Sequence, residues 1–252
     1  MQRTFFSKKT TLVFDAGNTQ TKVGVFQDGT LQSSGNLQIN DLDIRRMFSG
    51  EKPEETPVIV SNVRRKEDPQ VKEIRKLFPK IVILTTKTPT PLQLDVQFPE
   101  TVGADRIAMC VGAISVGENK KPKLIIATGT CITYNYLNAE GNFSGGAISP
   151  GYQMRLNAMH RETGRLPLIT ASDEIVREIA GSTAENLESG VYYGIRDEID
   201  GRICRFKEVN SDGEIFITGG HHLRLVNTTK YSIFANPNLS LIGLQKILEF
   251  NR

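Results

Sequence analysis

Leu12-Val13-Phe14-Asp15-Ala16-Gly17-Asn18-Thr19 is an apolar strand running into an acidic, glycine-containing turn. Leu124-Ile125-Ile126-Ala127-Thr128-Gly129-Thr130 repeats the arrangement. The two glycines, at 17 and 129, stand 112 positions apart in a chain of 252 residues. A second extended segment follows each turn, 22–26 in one case and 131–137 in the other. This self-similarity predicts a duplication: one α/β lobe over 1–118 and a related lobe over 119–252.

The surrounding pattern supports that reading. Segments 30–38, 57–61, 80–84 and 214–218 carry strand signals, and 67–78 and 105–116 carry helical ones. Strands alternating with helices predict sheets with parallel pairing, flanked by helices. The stretch 86–99 holds Pro89, Pro91 and Pro99 and reads as an irregular loop. Leu187, Val191, Ile195, Ile199 and Ile203 recur every fourth position, one face of a helix over 183–207. That face suits a core or a subunit contact equally. Leu241, Leu244 and Leu248 mark a closing helix.

Three glycine turns end predicted strands, where α/β folds place ligand sites. In Asp15-Ala-Gly-Asn-Thr19, Gly17 lets backbone N–H groups approach a phosphate, and Asn18 and Thr19 add side-chain donors. Lys22 adds charge, and Asp15 could hold a hydrated divalent ion. An ordinary hairpin turn is the competing reading. Thr128-Gly129-Thr130 and Thr218-Gly219-Gly220 are the other two turns; with the first they would enclose a nucleotide in a cleft between lobes. In Gly103-Ala104-Asp105-Arg106, Asp105 could accept a proton and Arg106 could bind an anion, or Asp105 could simply cap the helix. Gly145-Gly146-Ala147-Ile148-Ser149-Pro150-Gly151 reads as a tight turn or a closely fitted surface.

Composition narrows the function. With 31 Lys+Arg against 28 Asp+Glu, the net charge of +3 gives no support for nucleic-acid binding. No apolar run approaches the ~20 residues of a membrane helix. Residues 1–12 lack the apolar core of a secretory signal and read as a lead-in to the first strand. Cys110, Cys131 and Cys204 are widely spaced, which suits free thiols in the cytoplasm. His160 stands alone, and the adjacent His221 and His222 do not make a zinc site without further ligands.

Together these motifs, in this order over nearly the whole chain, resemble the type III pantothenate kinase family of the actin, sugar-kinase and Hsp70 superfamily. Asp15-Ala-Gly-Asn-Thr-Gln-Thr-Lys22, Gly103-Ala-Asp-Arg106, Thr128-Gly-Thr130, Gly145–Gly151 and Thr218-Gly-Gly220 carry the resemblance. Thr183, Ser189-Gly190, Tyr193-Gly194 and Asn236-Pro-Asn-Leu239 with Gly243-Leu244 extend it. The resemblance implies two ribonuclease-H-like lobes, a homodimer, and phosphorylation of pantothenate by ATP as the first step towards coenzyme A. It implies that Asp15, Gly17, Asn18, Thr19, Lys22 and Thr130 line the ATP phosphates, with Gly219 and Gly220 near the nucleoside. Asp105 would be the general base, Gly103, Ala104 and Arg106 would frame pantothenate, and Thr183 would reach the partner subunit's substrate. Magnesium, held through water by Asp15, and a monovalent cation, potassium or ammonium, would complete the site.

Three positions depart from the family pattern. Ala127 replaces an Asp that helps bind the monovalent cation, Asn135 stands where a further Asp is common, and Val96 replaces a substrate-contacting Tyr. A methyl group does not ligate a cation. The sequence therefore supports two readings: an active pantothenate kinase, or a catalytically weak relative that binds ligand or regulates.

Overall fold

The computed structural model describes residues 10–38, 52–65, 68–171, 176–220 and 231–252. They divide into two units, Met1–Gly117 with Asn238–Arg252, and Glu118–Pro237.

In the first unit, β1 (Thr10–Ala16) is buried along its apolar run and pairs antiparallel with β2 (Gln20–Gln27). Asp28 and Gly29, with φ of 49° and 78°, turn the chain into β3 (Thr30–Gln38). Two left-handed residues match the twist of a two-residue hairpin, which favours Asp-Gly there. β4 (Val58–Asn62) then lies parallel to β1, and β5 (Ile81–Ile83) parallel to β4. Between them runs α1 (Pro69–Leu77), capped by the Asp68 carboxylate accepting from Val71 N–H, with proline at its first position. The sheet order is β3-β2-β1-β4-β5.

The second unit repeats this order. β6 (Lys123–Thr128), β7 (Cys131–Leu137) and β8 (Phe143–Pro150) form an antiparallel meander. β9 (Glu214–Gly219) and the short β10 (Phe234–Ala235) add in parallel, giving β10-β9-β6-β7-β8. The shared pattern, a three-strand meander extended by parallel strands, is the two-lobe ribonuclease-H-like fold expected from the paired turns.

Helices explain the rest. α3 (Tyr152–Arg161) follows β8, and α4 (Thr183–Val209) starts at a capping box between Ser182 and Glu185. The apolar row of α4, Leu187 to Ile203, is buried in the core with Leu124, Ile126, Ile215 and Ile217. Each such side chain contributes roughly 1.5–3 kcal/mol, so the row serves the core. At the base of β6, Lys123 Nζ sits 3.0 Å from Glu214, both about 5% exposed. Glu214 also accepts Glu118 N–H at 2.9 Å, so the buried pair is hydrogen-bonded on both sides.

The structure departs from the sequence expectation in three places. Residues 143–150 form an edge strand rather than a tight turn, because Gly146 to Pro150 pair in register with Asn135 to Cys131 on β7 and expose alternate positions, while Gly145, with a φ of 105°, sits at the register shift. β10 carries too few residues to signal itself. The third is the closing helix, α5 (Leu239–Phe250), expected in the second lobe but found in the first unit. It crosses α2 (Ala104–Val116) where Gly112 meets the Leu239 carbonyl and Gly243 meets the Ala108 carbonyl. A Cβ on either glycine would overlap the opposing oxygen, so only this glycine pair permits the crossing.

All three cysteines are free thiols. Among the described residues no helix is long and apolar enough to cross a membrane, and no group of three metal-ligating side chains occurs. His221 and His222 lie outside the described residues.

Candidate active site

In the first unit, β1 delivers Asp15 to its C-terminal end, opposite Lys22 on β2 and Ser61 on β4. Burial pushes the Asp15 carboxyl above the usual carboxylate range; the nearby Ser240 and Ser61 hydroxyls and the charges of Lys22 and Arg64 pull it back. Its Oδ1 is closed to solvent and, among the described residues, has no hydrogen-bond partner. Buried oxygens of this kind are costly unless a ligand completes them. Burial also lowers the pKa of half-buried Lys22, and Asp15 opposes that shift. The turn beyond Asp15 tightens through Gly17 N–H to Asp15 O at 3.1 Å, and leaves Asn18 and Thr19 exposed.

Asp105 enters from α2. The helix is capped by Gly103, so Asp105 is not its cap, contrary to one expectation; it lies one residue inside the first turn. Its Oδ1 accepts Arg106 N–H at 2.8 Å. A Cβ at Gly103 would stand 2.6 Å from that oxygen, so glycine leaves room for the carboxylate to fold back over the helix start. Burial raises the Asp105 pKa, and the charge of Asp15 raises it further; the Arg106 N–H and guanidinium oppose both. A helix N-terminus favours an anion by only ~0.3–1 kcal/mol when exposed, and here burial and like charge win. Ala104 is buried, Arg106 is half-buried with its pKa lowered by burial, and Val96 is half-buried in the loop before the helix.

The structure thus gathers Asp15, Lys22 and Asp105 within electrostatic reach inside one unit. Sequence reading missed Ser61, Ser240 and the buried Arg64. Ser61 was findable, since it ends a strand parallel to β1; Ser240 depends on the placement of α5, which no local pattern gives.

In the second unit, Thr128 Oγ1 donates to the Thr218 carbonyl at 3.1 Å, tying two of the glycine turns together. Gly219 adopts a φ of 103°, beside the Thr128 backbone. Gly151 N–H donates to Thr130 O at 3.0 Å, and Thr130 itself is exposed. Gly220 has open space about it. Ala127 is half-buried between Thr133 and Thr218 in register. Asn135 is fully buried and donates to Ile125 O and Thr133 Oγ1, both at 3.3 Å. The methyl group of Ala127 offers a cation no ligand, and the Asn135 amide nitrogen is spent on the sheet. Thr183 is exposed at the first position of α4.

A donor set of one orphaned carboxylate oxygen does fit magnesium, which typically takes one or two carboxylates and fills its shell with water and substrate phosphate.

Comparison with known proteins completes the picture. The chain is 35% identical to the type III pantothenate kinase of Cytophaga hutchinsonii over 243 residues, 95% of this chain and 99% of that relative. It is 34% identical to the type III pantothenate kinase of Bacteroides fragilis over 250 residues, covering 95% and 98%. Among solved structures, a conserved Campylobacter jejuni protein assigned to the Baf family of transcriptional activators superposes with a TM-score of 0.60 at 20% identity, covering 95% and 98%. The (R)-2-hydroxyglutaryl-CoA dehydratase component A of Acidaminococcus fermentans gives 0.52 at 13% identity, covering 96% of each chain. These likenesses bear on fold alone. The family model for type III pantothenate kinase matches residues 11–205, and the chain belongs to that family.

Proposed function

We propose that this chain transfers the γ-phosphoryl group of ATP to the primary alcohol of pantothenate, the first step towards coenzyme A. The observation that carries the reading is Asp105, half-buried on the first turn of α2 and within charge reach of Asp15. A raised pKa keeps a carboxylate basic enough to take a proton from an alcohol. Asp105 accepts the hydroxyl proton as the oxygen forms its bond to phosphorus, and the bond to the ADP oxygen breaks.

Phosphoryl transfer needs positioning and charge neutralisation more than covalent chemistry. The turn at Gly17, through Asn18 and Thr19, together with Lys22 and Thr130, holds phosphate oxygens, and Gly219 and Gly220 leave room for the nucleoside. Asp15 holds magnesium through water; the ion, when bound, neutralises phosphate charge. Gly103, Ala104, Arg106 and Val96 shape the acceptor pocket. Val96 offers apolar contact and no hydroxyl, so acceptor binding leans on Arg106. Monovalent-cation dependence is weak, because no ligand stands at 127. The chain works as a homodimer, with the exposed Thr183 reaching the partner's acceptor, and acts in the cytoplasm, where its free thiols persist.

A ligand-binding relative without turnover is not favoured, since the residues that would carry the chemistry, Asp15, Lys22 and Asp105, are all in place. The purified chain with ATP, magnesium and pantothenate should yield phosphopantothenate by mass spectrometry, in preference to other hydroxy acids. No product, with an active relative run alongside, removes the proposal.

A further inference from the structure

Arg64 follows β4, carries a side chain only 5% exposed, and spends its guanidinium on three separate acceptors. Nε donates to the Gly17 carbonyl at 2.6 Å, Nη2 to Thr21 Oγ1 at 2.9 Å and Nη1 to Gln70 Oε1 at 3.0 Å. Asp68 stands 3.6 Å from Nη1 and balances the charge. The Thr21 hydroxyl in turn donates to Gln70 Oε1, closing a ring, and Gln70 Nε2 reaches the Gln38 carbonyl at 3.1 Å. Thr21 and Gln70 are fully buried. One planar fork therefore ties the turn after β1 to β2, to α1 and to the end of β3.

The bond to Gly17 has a directional consequence. In a trans peptide the carbonyl and the following N–H point opposite ways. With the Gly17 oxygen held inward by Arg64, the N–H of the exposed Asn18 is turned outward. A turn free to flip this peptide would turn its carbonyl towards an anion. We infer that Arg64 is a positioning residue that locks the Gly17–Asn18 peptide with its N–H facing the nucleotide phosphates; this rests on the reading of the turn as phosphate-holding. Only arginine suits the position, because a lysine ammonium does not span three acceptors fixed in a fork.

The test is steady-state kinetics and calorimetric binding of a non-hydrolysable ATP analogue, on full-length chains matched by circular dichroism and melting temperature. Arg64→Lys should raise the KM for ATP and weaken the analogue by about tenfold or more, as expected for loss of one oriented charge-assisted contact. The KM for pantothenate should stay within about twofold. Should Arg64→Lys not fold, Thr21→Val, which removes one acceptor, should show the same one-sided rise, and Thr21→Ser should restore the wild-type value. A folded Arg64→Lys or Thr21→Val chain with unchanged ATP affinity, or with both KM values raised alike, overturns the inference. Wild-type protein that does not bind the analogue overturns the phosphate reading of the turn, and the inference with it.

Discussion

Asp15, ending β1, and Asp105, opening α2, are two partly buried carboxylates of the same unit, and the charge of the first raises the pKa of the second. Loss of activity on acidification should therefore begin above the ordinary carboxylate range. Asp105 works as a base only when ionised, so kcat/KM falls as pH drops through its raised pKa. The stability sign is opposite. A raised folded-state pKa makes the ionised form a burden that is full above that pKa and is relieved as pH falls towards the ordinary aspartate value of 3.8. Asp105→Asn, uncharged at every pH, should raise the melting temperature at neutral pH; an acidic limb at the ordinary aspartate value with no gain in melting temperature contradicts the coupling.

Gly103→Ala separates positioning from folding. The added Cβ meets the far end of a flexible side chain, the Asp105 carboxylate, rather than backbone. Relief is cheap for the fold but moves the base. Turnover should drop about a hundredfold, the scale on which ångström misplacement acts, with the melting temperature nearly unchanged. Retained turnover would show that the carboxylate works from a different rotamer.

Gly243→Ala should do the reverse. Its Cβ overlaps the backbone carbonyl of Ala108, which has no rotamer to escape through. Forcing α5 from α2 should cost about 3 kcal/mol or more in denaturant unfolding. It should also loosen Ser240 from Asp15. A loss below about 1 kcal/mol would mean the crossing is slack.

Ala127→Asp introduces a carboxylate beside Thr133 and Thr218. Turnover should rise roughly tenfold, equivalent to ~1.4 kcal/mol of barrier, and become responsive to potassium or ammonium. An unchanged rate across a chloride series of these cations would show that position 127 has no bearing on a cation.

Much of this was legible in the sequence because local signals and tertiary structure agree. The strand-turn pairs at 12–19 and 124–130 predicted the repeated meander, and the four-residue period from Leu187 to Ile203 predicted α4. Where they disagree, the sequence misleads. Gly145 and Gly146 look like a turn because glycine has weak strand propensity, yet the pairing of Gly146 with Asn135 and of Ala147 with Tyr134 on β7 carries the segment as an edge strand, with Gly145 at the register shift. α5 reads as an ordinary amphipathic helix; only the match of Gly243 to Gly112, 131 positions apart, sends it back to the first unit. Arg64 sits in a charged stretch, Arg64-Arg65-Lys66-Glu67-Asp68, that resembles a solvated loop. Its burial follows from acceptors on β2, α1 and the turn, which no window of sequence brings together.

The most direct measurement is transfer of label from [γ-³²P]ATP to pantothenate in a single turnover, comparing the wild-type chain with Asp105→Asn. The wild type should place label on the pantothenate alcohol, and the variant, folded and still binding ATP, should do so about 10²–10⁴-fold more slowly. Label that never reaches pantothenate in the wild type, or reaches it equally fast without the Asp105 carboxylate, would contradict the account.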